Sequence, residues 1–547
     1  MRLRLYNNDT VSLLTRIGTR RRVKRWTQWR GFAATAAAPL PGPPQEIAIV
    51  GGGISGLAAT HYLAEQYPDV PIHLYESSSR LGGWVESKRV QVGAGTVVFE
   101  QGPRNLRPNA PNGLVTLDLV DRLGIADQVL AIPKTSPAAK NRYIFYPDHL
   151  ARLPGSLAEF LVKGLTEPVL KGFITGVLRE PFNPGRPEGV EDESVADFIS
   201  RRLSPDVAEN MVSAVFHGIY AGDIHQLSAS SLLSQFYHVE GKYGSIIRGW
   251  LADSKKASPG VLTDANKRVS DEMMRKKVPE KFNVQDMSVF TFKGGIETLV
   301  KALEKDARRR PNVQINLNSS VKLSGPSEPS TKAVRVTASA EDRNYSHVVC
   351  TAPGPQLQNI LEVPTDSFTS APTVMVVNFH YANPDILPVQ GFGYLLPQSV
   401  PLEQNYERAL GVVFDSVGTG AQDTVPGTKL TVMLGGHWWD DWAELPSHEE
   451  CIDMAKSVLA RHLGIHEQPD AVNATLQKKC IPQYLVGYQK KLDQMETQMS
   501  RTYSGRVKLM GSSFGGVALN DCVRSARDLV DMIEGPTSLV RQIHEWS

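Results

Sequence analysis

Residues Ile47–Leu63, IAIVGGGISGLAATHYL, together with Leu74–Gly83, LYESSSRLGG, decide how the rest of the chain is read. A short apolar run (Ile47, Ala48, Ile49, Val50) leads without a break into Gly51-x-Gly53-x-x-Gly56 and then into a segment with helical apolar spacing. Strand, glycine turn and helix in that order open a βαβ unit of the dinucleotide-binding kind. The glycines have separate tasks. Gly51 permits the tight turn, Gly53 lets the backbone approach a pyrophosphate, and Gly56 lets helix and strand pack closely. The pyrophosphate would rest on the helix N-terminus, where free amides and the helix dipole favour negative charge. Glu76, at the end of a second strand (Ile72–Tyr75), is placed to accept hydrogen bonds from an adenosine ribose. A bare glycine motif also describes an ordinary glycine-rich turn; the flanking strand, the helix and the acid at its offset argue against that.

Arg80, Leu81, Gly82 and Gly83 follow Glu76 at a short offset. A second glycine pair lets backbone approach something large, and Arg80 can neutralise phosphate. An NAD-binding unit needs no such pair, whereas FAD, threading its pyrophosphate and ribityl chain past this loop, does.

The chain of 547 residues is too long for one core, so two or three domains and a large buried site are expected. The net charge of +2 conceals an asymmetry. Residues 1–44 hold eight arginines and one lysine against the single acid Asp9, leaving the remainder at about −6. This Arg-rich, acid-poor leader, ending in Ala33–Ala38 and PLPGPP, reads as a mitochondrial presequence; a nucleic-acid-binding arm and a solvated tail are its rivals. Cys350, Cys451, Cys480 and Cys522 are widely spaced and suggest neither a disulfide framework nor a metal site.

Along the chain, residues 113–133 have helical spacing, and FEQGPRNLRP (Phe99–Pro108) is a loop expected to return toward the nucleotide. The segment 150–179 is apolar but punctuated by Pro154, Pro168, Gly164, Gly172 and Gly176. It reads as broken amphipathic helices, either packed on the main body or lying on a membrane surface. Helix signals run from Ser194 to Phe216, with Ser194 and Asp197 as an N-cap. Residues 252–286 are so charged that they read as a mobile surface insertion. Strands are expected at 289–292, 313–317, 334–338, 347–351, 373–381, 411–414, 430–434 and 507–510, with a last helix over 521–534. The expected division is a leader (1–44), a nucleotide-binding domain in three pieces (45–115, 287–353, 481–547), a mainly helical membrane-binding domain (116–240), a substrate-domain segment with the insertion (241–286), and a substrate-binding domain (354–480).

VGGGISGLAA, YESSSRLGGW, FEQGPRNLRP, AAKNRYIFYP, FKGGIETL, VVCTAPG, LPVQGFGYLLP, TVMLGG, KCIPQY and FGGVALNDCVRSAR stand in an order that resembles the protoporphyrinogen oxidase family of the flavin amine oxidase superfamily, over nearly all of 46–533. The first two motifs are common to the superfamily; those from LPVQGFGYLLP onward, with AAKNRYIFYP, are much more specific to this family. The resemblance implies an α/β fold: a Rossmann-like FAD domain, a mixed-sheet substrate domain and a helical membrane-binding domain. It implies non-covalent FAD held by Gly51, Gly52, Gly53, Ile54, Ser55, Gly56, Glu76, Ser77, Arg80, Gly83, Trp84, Gly102, Pro103, Arg104, Asn105, Val321, Val517, Ala518 and Leu519. For the substrate it implies Arg142 on a propionate, Phe392, Leu395 and Met433 around the macrocycle, and Gly218 and Gly393 leaving room for it. His217 stands where many family members have arginine and receives no catalytic role. The implied reaction takes protoporphyrinogen IX to protoporphyrin IX with dioxygen as acceptor. The implied location is peripheral, on the intermembrane-space side of the mitochondrial inner membrane, and a homodimer and a contact with ferrochelatase are the implied partners; no nucleic acid and no metal are expected. An amine oxidase of the same superfamily and a non-catalytic nucleotide-binding scaffold are the alternatives.

Overall fold

The computed structural model describes residues 41–254, 264–325, 333–339 and 341–541. Residues 1–40 of the expected leader lie outside them.

The first strand, Ile47–Val50, is buried at every residue, as a continuous apolar run in a two-sided parallel sheet must be. It lies at the centre of five strands ordered Val507–Leu509, His347–Cys350, Ile47–Val50, Ile72–Tyr75 and Val313–Asn316, every neighbouring pair parallel. Chain from the front, middle and end of the sequence thus meets in one sheet. On one face the helices Ile54–Gln66, Asn112–Arg122, Glu297–Arg309 and Leu519–Met532 share a core through Leu57, Leu117, Leu303 and Val523. The other face is covered by the antiparallel strands Val321–Ser324, Val334–Ala338 and Glu341–Tyr345 and by helix Tyr488–Tyr503.

A second, mixed sheet has seven strands in the order Ala471–Gln477, Val374–Tyr381, Thr428–Gly435, Ala409–Val413, Gly393–Leu395, Tyr143–Phe145 and Leu150–Arg152. Helix His448–Leu463, opened by a Ser447–Glu450 capping box, packs Cys451, Ala455, Val458 and Leu459 against Met375, Val377 and Phe379 on one face. The period of two along a strand sends Val374, Val376 and Asn378 to the opposite face.

Three expectations are corrected. The helical pattern over 113–133 ends at Arg122, because Gly124 turns the chain at φ +71°; Val129–Pro133 is then a strand, antiparallel to Met287–Phe292. The mainly helical stretch 116–240 also contains Tyr143–Phe145 and Leu150–Arg152, the last two strands at one end of the second sheet, each too short to show a period. The charged segment 252–286 is not a loose insertion where it is described. Helix Asp264–Arg275 and the turn Val278–Lys281 bury Val269, Met273 and Val278 in the core of the first sheet. Some of their charges are partnered from distant chain: Lys276 sits 2.9 Å from Asp118, and Glu272 pairs with Arg527. Residues 255–263 lie outside the described residues.

The helical part is a set of short helices, including Leu157–Thr166, Phe173–Arg179, Val195–Arg202 and Ser213–Tyr220. The Ser194 hydroxyl caps the third of these by accepting from the Asp197 amide at 3.0 Å. Fully buried Arg202 pairs with Glu180, whose carboxylate also accepts from the Ser245 hydroxyl and the Ile246 and Ile247 amides. Removing one member of such a buried pair costs about 3–5 kcal/mol, so this contact fixes how the short helices meet.

Candidate active site

Parallel strands all end at one edge of their sheet, and the turn Gly51–Gly53 leaves the central strand at that edge. Gly51 has φ +103°, a left-handed conformation that glycine adopts at little cost. A Cβ on Gly56 would stand 1.9 Å from the Gly51 carbonyl oxygen, so helix Ile54–Gln66 crosses the turn closely only because that atom is absent. Gly53 is different: its backbone is extended, and no described atom lies within 4 Å of where a Cβ would be. The helix start at Ile54 and Ser55 has no side-chain cap and no acid in its first turn, which leaves its amides and dipole open to an anion.

Glu76 accepts from the Gly52 amide at 2.7 Å and from the Ser78 amide at 2.8 Å, with the Ser77 hydroxyl at 3.3 Å. It therefore braces the glycine turn and keeps lone pairs for a ribose. Arg80 is engaged within its own loop, donating to the carbonyls of Leu81, Gly83 and Val85 and pairing with Glu86 at 3.1 Å. Its first effect is to shape the loop that carries Gly83, where a Cβ would come within 3.4 Å of the Gly53 Cα. Val321 is buried next to this corner, where the Ser319 amide bonds the Glu76 carbonyl.

The loop Gly102–Asn105 approaches from the far side. A Cβ on Gly102 would lie 2.5 Å from the Trp84 carbonyl oxygen, so that glycine brings the two loops together. Pro103 is exposed beside it. Arg104 is buried and ion-paired to Asp415 at 3.1 Å, which also accepts from the Thr431 hydroxyl. The remaining nitrogen Nη2 of Arg104 and Oδ1 of Asn105 are buried without a hydrogen-bond partner. The segment Gly511–Leu519 closes the ring: Gly511 lies against Ser55, and Val517 and Ala518 precede helix Leu519–Met532. Asn520 fastens that helix to the Arg107 carbonyl at 2.8 Å while its own Oδ1 lacks a partner. An uncapped helix start, glycines that hold backbone close and three orphaned polar atoms fit a large polar group such as FAD; buried groups of this kind are otherwise costly.

Opposite these loops, one row of residues crosses the second sheet on the face away from its helix: Ile144, Leu395, Gly411, Met433, Val376 and Thr475. The row is joined to the loop by Thr475, whose hydroxyl donates to Gln101 Oε1 at 2.9 Å. Phe392 and Arg142 meet at its edge, since the Phe392 amide bonds the carbonyl of Asn141. Phe392 is 38% exposed, which suits a lid over a ligand better than a core residue. Gly218 and Gly393, expected to leave room for a substrate, are required by the protein itself. A Cβ on Gly218 would lie 2.7 Å from the Leu395 side chain. Gly393 has φ +134°, and a Cβ there would strike the Val412 carbonyl oxygen. Gly218 lets its helix lie close to Leu395, and Gly393 lets its strand lie close to Val412. Gly411, between Leu395 and Met433, escaped the sequence reading because its role depends on pairing between strands distant in sequence.

His217 is buried beside this row. One ring nitrogen lies 2.6 Å from the Leu396 carbonyl and the other 2.9 Å from the His437 ring, with Trp438 edge-on. Burial, helped by His437, pushes His217 down to about 3, and burial pushes His437 down to about 4, so the pair is neutral in the fold.

Two measurements check this geometry. Gly53→Ala is expected to leave apoprotein melting unchanged while flavin content falls; Gly56→Ala is expected to lower the melting temperature itself. Equal melting losses in both would contradict the distinction. The unfolded histidines take protons near 6.5 whereas the folded pair does not, so stability falls as pH drops from 6.5 toward 4. In denaturant titrations His217→Gln is expected to make that fall shallower, by up to about 1.4 kcal/mol per pH unit. An unchanged slope would mean that His217 is protonated in the fold.

Residues 54–533 match the model of the family described as flavin containing amine oxidoreductase. The chain is 38% identical over 485 residues to the protoporphyrinogen oxidase of Schizosaccharomyces pombe, covering 87% of this chain and 96% of the relative. It is 32% identical over 499 residues to that of Homo sapiens, covering 89% and 98%. A solved structure of a candidate protoporphyrinogen oxidase from Exiguobacterium sp. 255-15 superposes with a TM-score of 0.68 at 22% identity, over 90% of this chain and 98% of that one, which shows the shared fold. The chain therefore belongs to the flavin-containing amine oxidoreductases and, among them, to the protoporphyrinogen oxidase family.

Proposed function

We propose that this chain oxidises protoporphyrinogen IX to protoporphyrin IX with non-covalent FAD as redox group and dioxygen as acceptor, in three two-electron steps that release hydrogen peroxide. That is the penultimate step of haem biosynthesis. The observation that carries the reading is the apolar row Leu395, Gly411, Met433 and Val376, tied through Thr475 to Gln101 at the head of the Gly102–Asn105 loop and continued by Ile144, two residues after the cationic Arg142.

When bound, FAD supplies a two-electron acceptor for hydrogen leaving a methylene bridge of the macrocycle. The residues proposed to hold it are Gly51–Gly56, Glu76, Ser77, Arg80, Gly83, Trp84, Gly102–Asn105, Val321 and Val517–Leu519. Phe392, Leu395 and Met433 sandwich the macrocycle and exclude water. Gly218 and Gly393 keep room for the macrocycle, and Arg142 pairs a propionate through its guanidinium fork.

The remaining proposals concern place and company. A nucleotide-binding domain is built from 45–115, 287–353 and 481–547, and a substrate-binding domain from 354–480. A mainly helical membrane-binding domain is proposed over 116–240. Its support is a group of exposed apolar side chains, Leu161, Val162, Leu165, Leu178 and Phe182, with Leu165 at 83% and Phe182 at 81% exposure. No helix of the described residues is long and apolar enough to cross a membrane. The attachment proposed is accordingly peripheral, on the intermembrane-space side of the mitochondrial inner membrane, with residues 1–44 as the presequence. A homodimer and a contact with ferrochelatase are the proposed assemblies.

The activity is tested by supplying protoporphyrinogen IX aerobically and following porphyrin fluorescence with oxygen uptake. Catalysed porphyrin formation above the spontaneous rate is expected; oxygen uptake with amines and none with porphyrinogen would overturn the assignment in favour of an amine oxidase. For the membrane, Leu165→Glu with Phe182→Glu is expected to abolish most flotation with liposomes while activity in detergent persists. Undiminished flotation would move the contact elsewhere.

A further inference from the structure

Beside Arg142, at the end of the loop that begins at Gly102, lies a cavity of about 300 Å³ whose wall includes Arg107 and Lys134. Three separate parts of the chain supply the three cations. Arg107 closes the GPRNLR loop, where Asn520 anchors its carbonyl at 2.8 Å. A Cβ on Gly113 would stand 2.2 Å from that same carbonyl oxygen, so the following helix holds Arg107 in place by close approach. Lys134 follows strand Val129–Pro133, its ammonium donating to the Gln285 carbonyl at 2.7 Å. Arg142 precedes strand Tyr143–Phe145, held by the Leu153 amide on its carbonyl at 2.9 Å.

No acidic side chain lines the cavity. Among the described residues, neither the Arg107 nor the Arg142 guanidinium has a hydrogen-bond or ion-pair partner, and both are exposed, so both are open to an anion from solvent. Partial desolvation, and then the charge of Arg107, hold Arg142 below its usual pKa, so the two cations feel each other. Like charges brought together without a counterion raise the energy of the fold unless an anion joins them. The rest of the wall includes Met287 and Val289, apolar groups suited to short methylene arms.

We propose that Arg107 and Lys134 join Arg142 in one cationic pocket that binds both carboxylates on the acidic edge of the macrocycle. The inference rests on the porphyrinogen reading above and deepens it. The substrate carries two propionates on neighbouring rings, and its opposite edge carries none. One arginine can hold one carboxylate by a two-point fork; two arginines from different loops, with a lysine between sources of charge, can take two. Gripping both arms fixes which edge of the ring points outward, so the apolar edge is the one directed toward Leu395 and Met433. The pocket thereby acts on binding and orientation, and the redox step does not pass through it.

The test compares protoporphyrinogen IX with its dimethyl ester, in one detergent, on the FAD-loaded enzyme and on Arg107→Ala, Arg107→Lys and Lys134→Ala. For Arg107→Ala the KM of the diacid is expected to rise about ten- to a hundredfold with kcat within about twofold, and Arg107→Lys to recover part of the loss. The wild type is expected to show a raised KM for the ester, and Arg107→Ala to raise it no further. Lys134→Ala repeats the comparison should Arg107→Ala not fold, with a smaller rise expected. Fluorescence titration with protoporphyrin IX and its dimethyl ester reads the same preference without turnover. An unchanged KM for the diacid in an active enzyme, or an equal rise for diacid and ester, would overturn the pocket while leaving the porphyrinogen reading intact. A wild type that turns over neither compound would overturn both.

Discussion

The close crossing of helix Ile54–Gln66 over the first turn is the contact on which the rest depends. With the Gly51 carbonyl oxygen 1.9 Å from where a Gly56 Cβ would be, no other residue lets the helix lie so near the strand. The Thr351 hydroxyl fastens the same spot by donating to the carbonyls of Val50 and Gly51. If the helix backed away, the amides at Gly53–Ser55 would no longer point at the edge where the strands end. The loops from Glu76, Gly102 and Gly511 are placed relative to that edge, so the whole ring would lose its common focus. Packing at interior density transmits such a displacement instead of absorbing it.

A second constraint ties this ring to the apolar row that faces it. Asn378 donates to the Glu100 carbonyl at 3.1 Å, and Lys429 to the Val98 carbonyl at 2.7 Å; Gln477 donates to the Gln101 carbonyl at 2.9 Å. Together with the buried Arg104–Asp415 pair, these bonds run from one strand and loop, Val98–Arg104, into four parts of the second sheet and its loops. The Glu100 carboxyl itself turns the other way, accepting from Ser87 and the Ile296 amide, and burial pushes it up to about 7. Buried polar contacts add little net stability when complete but cost several kcal/mol when one partner is lost. Their value here is geometric: the distance between the glycine loops and the apolar row is held by directional bonds, which apolar packing alone would leave softer.

Local features of the sequence were readable because local physics controls them. Gly51, Gly53, Gly56 and Glu76 lie within one βαβ unit, and their spacing carries the strand, turn and helix with it. The N-cap at Ser194 was readable for the same reason. Features that depend on distant chain were not. Tyr143–Phe145 is a three-residue strand whose partner, Gly393–Leu395, lies far along the chain. Gly411 matters because it stands between Leu395 and Met433 across two ladders. The helix at Asp264–Arg275 was hidden by its charge, since Val269 and Met273 are the only large apolar side chains it buries, and Asp118 and Arg527, which pair with Lys276 and Glu272, come from distant chain. Arg107 was visible as part of GPRNLRP, but its nearness to Arg142 follows from how the two segments fold together.

In the proposed site, the ring of glycine loops holds a flavin against a face for a flat, acidic-edged macrocycle. Anaerobic mixing of the FAD-loaded chain with protoporphyrinogen IX tests it most directly. Rapid bleaching of the flavin absorbance, saturating with porphyrinogen and reversed when dioxygen is admitted, is the expected result. A chain that retains its flavin but leaves it oxidised under these conditions would contradict the account.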